Sequence, residues 1–209
     1  MSVLSIIQNA GWPIWPLIIA SMAALALVVE RFISLQTKRV APKNLLDEAL
    51  LASKSGVPSA EVVNHLEESS VFGGVLASGL RALNSNPALT ETDLRATMEG
   101  AGRAATHTLE RYLTALATIA SAAPLMGLLG TVVGMIEIFG SQNSAGGSNP
   151  MALAHGISVA LYNTAFGLII AIPALIFWRY FRARVDGYLL NMEIGAEQFM
   201  RHLARFCKK

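Results

Sequence analysis

Three side chains with usable chemistry lie inside stretches that are otherwise apolar. Thr131 and Glu137 fall in residues 123–140 (APLMGLLGTVVGMIEIFG), and Thr164 falls in residues 156–178 (GISVALYNTAFGLIIAIPALIFW). A threonine hydroxyl donates one hydrogen bond and accepts others, so it can order a water or meet a protonated carboxyl without itself titrating. In a helix it can instead bond the carbonyl four residues back, which is a purely structural use. Glu137 is the sole acidic residue in either stretch. A charged side chain at the centre of a bilayer costs about 2.5–3.5 kcal/mol on insertion scales, and less near the ends of a span. Glu137 is near the end of its stretch and supports two readings: a water-exposed residue at a mouth, or a proton or cation site.

The residues around these groups are small. With Gly130 at zero and about 100° per residue, Pro124, Gly127, Thr131, Gly134 and Glu137 share one arc of the first stretch. Ala160, Thr164, Gly167, Ala171 and Ala174 recur at three- and four-residue spacing along the second. Small residues let membrane helices approach closely, and hydroxyls there face protein or water rather than lipid. The two stripes read as an intersubunit or pore-lining surface, with the stripe from Ala160 to Ala171 expected to meet a neighbouring copy.

Composition sets the class. Hydrophobic residues make up 53% of the 209 and charged residues 14%, and the charges are segregated, the profile of a polytopic membrane protein with modest soluble parts. A net charge of +2 is too small to suggest a nucleic-acid partner. The lone Cys207 cannot form an intrachain disulfide. His65, His107, His155 and His202 are dispersed and give neither a metal cluster nor a paired haem-ligand pattern. No phosphate-binding glycine loop and no nucleophile–base spacing is present, so neither an enzyme nor a cofactor is expected.

The chain divides accordingly. Residues 1–10 carry no basic residue, so a cleaved signal peptide is not expected. Residues 11–32 form a first membrane helix, with Trp12 and Trp15 at the interface and Pro13 and Pro16 in the first turns. Residues 33–112 are polar enough to be soluble. Pro42 opens a short helix ending near Gly56, Pro58 and Ser59 open a second, and residues 71–83 give a third. After the breaker NSNP at 84–87, Thr90 starts an amphipathic run (Leu94, Met98, Ala101, Ala105, Leu109) that no break separates from the next span, which predicts one long helix. Residues 113–140 and 153–178 are the second and third membrane helices, joined by an uncharged Gly/Ser/Asn loop at 141–152. In the tail, 179–209, apolar residues at 185, 189, 192, 196, 199, 203 and 206 approximate a heptad seam, predicted to pack against a neighbour. The expected fold is therefore all-α, with three spans, the second and third running on into a cytoplasmic helical domain.

Orientation follows from the basic residues. Eight of the 16 Lys and Arg lie in residues 34–111, seven follow Trp178, and Arg31 closes the first span. The positive-inside bias places the N-terminus and the short loop outside and the middle domain and tail in the cytoplasm.

The segments PLMGLLGTVVGM and GISVALYNTAFGLIIAIPA resemble the signature of the ExbB/TolQ/MotA proton-channel family, and three spans resemble its ExbB/TolQ branch most. The resemblance implies an inner-membrane complex in which five copies surround a smaller, single-span ExbD- or TolR-like partner. A membrane-embedded aspartate of that partner carries the proton. Threonines lining the path match Thr131 in GTVVG and Thr164 in NTAFG, and a TonB-like protein is a further implied partner. Many members carry a glutamate in the third span where this chain has Val159; the carboxyl here is Glu137, in the second. Two functions follow as alternatives: a proton channel coupling proton-motive force to TonB-dependent or Tol-type work, or a membrane scaffold without conduction. A stator-like subunit of a different motility system stands beside them.

Overall fold

The computed structural model describes residues 11–144 and 150–208, so the residues at 1–10 and the centre of the loop expected at 141–152 lie outside the described part. Helices account for nearly everything described. They are α1 (Ile14–Ser34), α2 (Thr37–Val40), α3 (Leu45–Ala52), α4 (Ala60–Ser69), α5 (Val71–Ser85), α6 (Glu91–Glu110), α7 (Leu113–Ser144) and α8 (Pro150–Leu203), followed by a 3-10 turn (Ala204–Phe206). Among the described residues there is no strand. Three helical stretches are long and apolar enough to cross a membrane: Ile14–Ser34, Glu91–Gly140 and Gly156–Phe206.

The chain forms two compact units. Unit 1 comprises Met1–Glu30 and Tyr112–Tyr180; unit 2 comprises Arg31–Arg111 and Phe181–Lys209. Unit 1 holds most of the apolar sequence and buries little of it. Along α1, Ile14, Leu17, Ala24 and Val28 are buried, while Ile19, Met22, Leu25 and Val29 are exposed. A helix that shows large apolar side chains outward needs an apolar solvent, and lipid supplies it.

Unit 2 is built as a water-soluble domain would be. The predicted breakers fall between the helices: α3 ends before Gly56, α4 starts just after Pro58 and Ser59, and α5 ends within the NSNP run, whose proline cannot continue a helix. Ser70 starts α5 by accepting from the Gly73 amide at 3.0 Å. Thr90 starts α6 by accepting from the Asp93 amide at 3.2 Å. The buried positions of α6 are Leu94, Met98, Ala105 and Leu109, as its periodicity requires. Leu76, Leu80, Val185, Phe199 and Leu203 of the same unit are likewise buried. Each such side chain contributes about 1.5–3 kcal/mol on leaving water. The tail seam therefore lies in the core of unit 2 rather than against another chain: Gly195 meets the Phe72 ring, and Gly79 lies against Met98 and Leu203.

The long helix expected from Thr90 into the bilayer is interrupted. Arg111 is extended (ψ 136°) and Tyr112 takes a φ of 67°, which a bulky side chain rarely adopts. The interruption leaves the last carbonyls of α6 without helical donors. Arg31, 78 residues earlier and 2% exposed, donates from its Nη1 to the Leu109 carbonyl at 3.1 Å. Close by, the Tyr188 hydroxyl donates to the Leu35 carbonyl and meets the Thr37 hydroxyl, both at 3.0 Å. These contacts fasten the last turn of α1 to α6, and the segment after α1 to the tail of α8.

Candidate functional site

The site arises where the two small-residue stripes of unit 1 meet. Gly127 and Gly130 of α7 are buried, as are Ala160, Asn163, Gly167 and Ala171 of α8. A Cβ on Gly167 would stand 2.6 Å from the Ala123 carbonyl oxygen and 3.2 Å from the Gly127 Cα. One on Gly127 would stand 2.7 Å from the Asn163 carbonyl oxygen. Only hydrogen fits between these backbones, so glycine at both positions is what lets the helices touch. The stripe expected to meet a neighbouring copy is thus occupied by the glycines of the same chain.

Close approach brings the two threonines together. The Thr131 and Thr164 hydroxyl oxygens are 2.5 Å apart, 33 residues distant in sequence. The Thr131 hydroxyl lies 3.2 Å from the Ala160 carbonyl and 3.3 Å from its own Gly127 carbonyl. Thr164 reaches the same Gly127 carbonyl at 3.2 Å. Both side chains are half-buried. Two hydroxyls hold two protons between them: one makes the mutual bond, and the other goes to a backbone carbonyl. The pair therefore presents oxygen lone pairs and no spare O–H, so it accepts hydrogen bonds from outside. A protonated carboxyl or a water can donate to it; a carboxylate cannot.

The remaining expected residues divide. Pro124, half-buried, removes the amide that would have bonded the Ala120 carbonyl in α7. Gly134 packs on Ala160, whose Cβ would be 3.0 Å from an added one. Glu137 is exposed and makes no hydrogen bond or ion pair among the described residues; it is not part of the threonine cluster. The side chains of His155 and Val159 lie outside the described part. Sequence reasoning passed over Asn163, 2% exposed, whose side chain fills the space beside Gly130. An amide within an otherwise apolar span, next to the threonine, was the available signal. Among the described residues no group of three His, Cys, Asp or Glu could hold a metal ion.

Three membrane-length helices, two of them joined through an internal hydroxyl pair, define a polytopic helical membrane protein with a polar site between its spans. Residues 67–194 match the model of the MotA/TolQ/ExbB proton channel family, and the chain belongs to that family. It is 30% identical over 185 residues to a putative ExbB-like biopolymer transport protein of Synechocystis, covering 88% of this chain and 85% of that one. It is 34% identical over 172 residues to the biopolymer transport protein exbB1 of Vibrio cholerae, covering 80% and 74%. Among solved structures, the C. jejuni MotAB structure superposes with a TM-score of 0.62 at 19% identity, over 90% of this chain and 75% of that one, a likeness of fold. The resemblance read from residues 123–178 is therefore a family membership, and the all-α fold with three spans stands.

Proposed function

We propose that the chain is an inner-membrane proton-channel subunit of an energy-transducing complex, with its N-terminus outside and its polar domain and tail in the cytoplasm. It assembles with four further copies and surrounds a single-span ExbD- or TolR-like partner whose membrane aspartate carries the proton; a TonB-like or Tol-type envelope protein receives the work. The observation that carries this reading is the Thr131–Thr164 pair. An acceptor-only pair holds the protonated aspartate by accepting its O–H and repels the deprotonated form through its lone pairs. Proton gain and loss then switch the partner between held and released states. One proton crossing 100 mV supplies about 2.3 kcal/mol, so several must act per useful step.

Support for the non-conducting scaffold comes from the same contact, since hydroxyls satisfied within one chain can serve simply to clamp α7 to α8. Proton flux into liposomes containing the complex with a single-span partner decides between them. Thr131→Val and Thr164→Val delete one polar atom each at nearly constant shape. The channel reading expects both to abolish flux while expression and assembly persist; normal flux in both variants would leave only the clamp.

A further inference from the structure

We infer that the segment just after α1 is an anionic-phospholipid site, in which Lys38, Arg39 and Lys43 hold the phosphodiester of a lipid headgroup. The site needs only α1 to lie in a bilayer and is independent of the channel reading. Residues 31–46 contain no Asp or Glu. Lys38, Arg39 and Lys43 within them are exposed and make no hydrogen bond or ion pair among the described residues. The fold fixes which way they face. The Tyr188 hydroxyl gives its single proton to the Leu35 carbonyl, so the Thr37 hydroxyl, 3.0 Å away, is the donor in their bond. Val40, three residues on and on the same face of α2, is fully buried. With Thr37 and Val40 turned inward, Lys38 and Arg39 face out. Arg184, bonded to the same Tyr188 hydroxyl at 3.1 and 3.2 Å, adds a positive charge behind them.

Depth identifies the occupant. The 21 residues of α1 extend about 32 Å, enough to cross a hydrocarbon core of roughly 30 Å. Its last turn shows Phe32 and Ile33 outward, each 46% exposed, which marks the edge of the apolar layer. Phe32 packs edge-on to Phe181 with ring centroids 5.0 Å apart, where the apolar run of α8 also ends. Beyond that edge lies a headgroup layer about 5–7 Å deep. Lys38 and Arg39, four and five residues past the end of α1, enter it. Lys43 follows at its outer margin, with a flexible stem that lets the ammonium rise to the phosphates. Positive-inside bias explains why basic residues flank a span on one side. It does not require them to be unpaired and pinned outward. A lipid phosphodiester is present at this depth at all times, which neither a soluble anion nor a protein partner is, and a cluster of basic side chains there attracts anionic lipid.

The test uses the full-length protein in nanodiscs of phosphatidylcholine with a minor share of spin-labelled phosphatidylglycerol. The fraction of labelled lipid that the protein immobilises, compared with labelled phosphatidylcholine, reads the preference for the anionic headgroup. One cationic side chain near a bilayer surface changes anionic-lipid association about fivefold. Lys38→Gln, Arg39→Gln and Lys43→Gln together are therefore expected to lower the preference by about fivefold or more. The charge-preserving set Lys38→Arg, Arg39→Lys and Lys43→Arg should keep it. Arg95→Gln removes an exposed charge about 21 Å along α6 from Leu109 and should change nothing. An unchanged preference in the triple glutamine variant, or an equal loss in Arg95→Gln, overturns the site. Release of the labelled lipid by inorganic phosphate at constant ionic strength assigns these residues to a free anion and overturns it as well.

Discussion

Replacing Gly167 by alanine adds one carbon where the structure has no room for it. The new Cβ would stand 2.6 Å from the Ala123 carbonyl oxygen, and ordinary contact begins near 3.4 Å. The obstacle is backbone, so α7 and α8 must separate locally by about 0.8 Å. Overpacking of this kind costs about 1–3 kcal/mol. Separation also stretches the two interhelical bonds now at 3.2 Å, from Thr131 to the Ala160 carbonyl and from Thr164 to the Gly127 carbonyl, beyond hydrogen-bond reach. Interhelical hydrogen bonds in membranes average about 0.6 kcal/mol each. The total is roughly 2–4 kcal/mol, about a thirty- to nine-hundred-fold shift of the folded population. Unfolding by SDS titration in mixed micelles measures it. Gly74→Ala in α5, where the added carbon meets nothing within 4 Å, is the control and should be neutral or slightly stabilising. An unchanged midpoint for Gly167→Ala would refute the claim that backbone contact at this glycine holds the spans together.

Three further outcomes are expected. Arg31→Met keeps an unbranched apolar stem but removes the guanidinium and leaves the Leu109 carbonyl without this donor, a loss of about 1–3 kcal/mol that faster hydrogen exchange at the end of α6 should report; unaltered exchange argues against the cap. Glu137→Gln removes a charge that is outside the threonine cluster, so flux should fall partially; complete loss, with near-normal flux in Thr131→Val and Thr164→Val, would make Glu137 the proton-carrying group. The Arg81 guanidinium bonds the Glu67 carboxylate, with Arg81 Nη1 to Glu67 Oε1 at 3.2 Å, and holds Glu67 below the usual carboxyl range. A lowered folded value means the pair's contribution is present above the ordinary carboxyl pKa and is lost as pH falls through the lowered one. Both side chains are well exposed, so the effect is small. Proteolysis of the α4–α5 segment should quicken at acid pH in the native protein, and Glu67→Gln should remove that acid-dependent increment.

What the sequence revealed, and what it concealed, follows from how local each cause is. Caps, prolines and glycines act within a few residues, so Pro58, Thr90 and the NSNP run marked the helices of unit 2 near their true ends. The small-residue stripes were equally plain, because a glycine every three or four residues on an apolar helix has little use except close approach. Their partner was not plain. Sequence spacing states that a face will be covered and is silent on whether the cover belongs to the same chain, and here Gly127 and Gly130 supply it. The interruption at Tyr112 had no signal at all: neither glycine nor proline occurs between Arg103 and Ala123. Its stabilising donor comes from Arg31, a contact that exists only after folding.

One dimension of α1 has a bearing on the membrane itself. Its 21 residues extend about 32 Å, close to the roughly 30 Å thickness of a bilayer's hydrocarbon core. A helix so matched has almost no slack to take up by tilting, unlike α7 and α8, which are longer. In its last turn, Arg31 is bound to the Leu109 carbonyl. Hydrophobic mismatch therefore acts on α1 before the other spans, and a bilayer only a few ångströms thicker or thinner loads that one hydrogen bond at the end of α6. Lipid chain length becomes a mechanical variable of this protein, distinct from voltage and from pH.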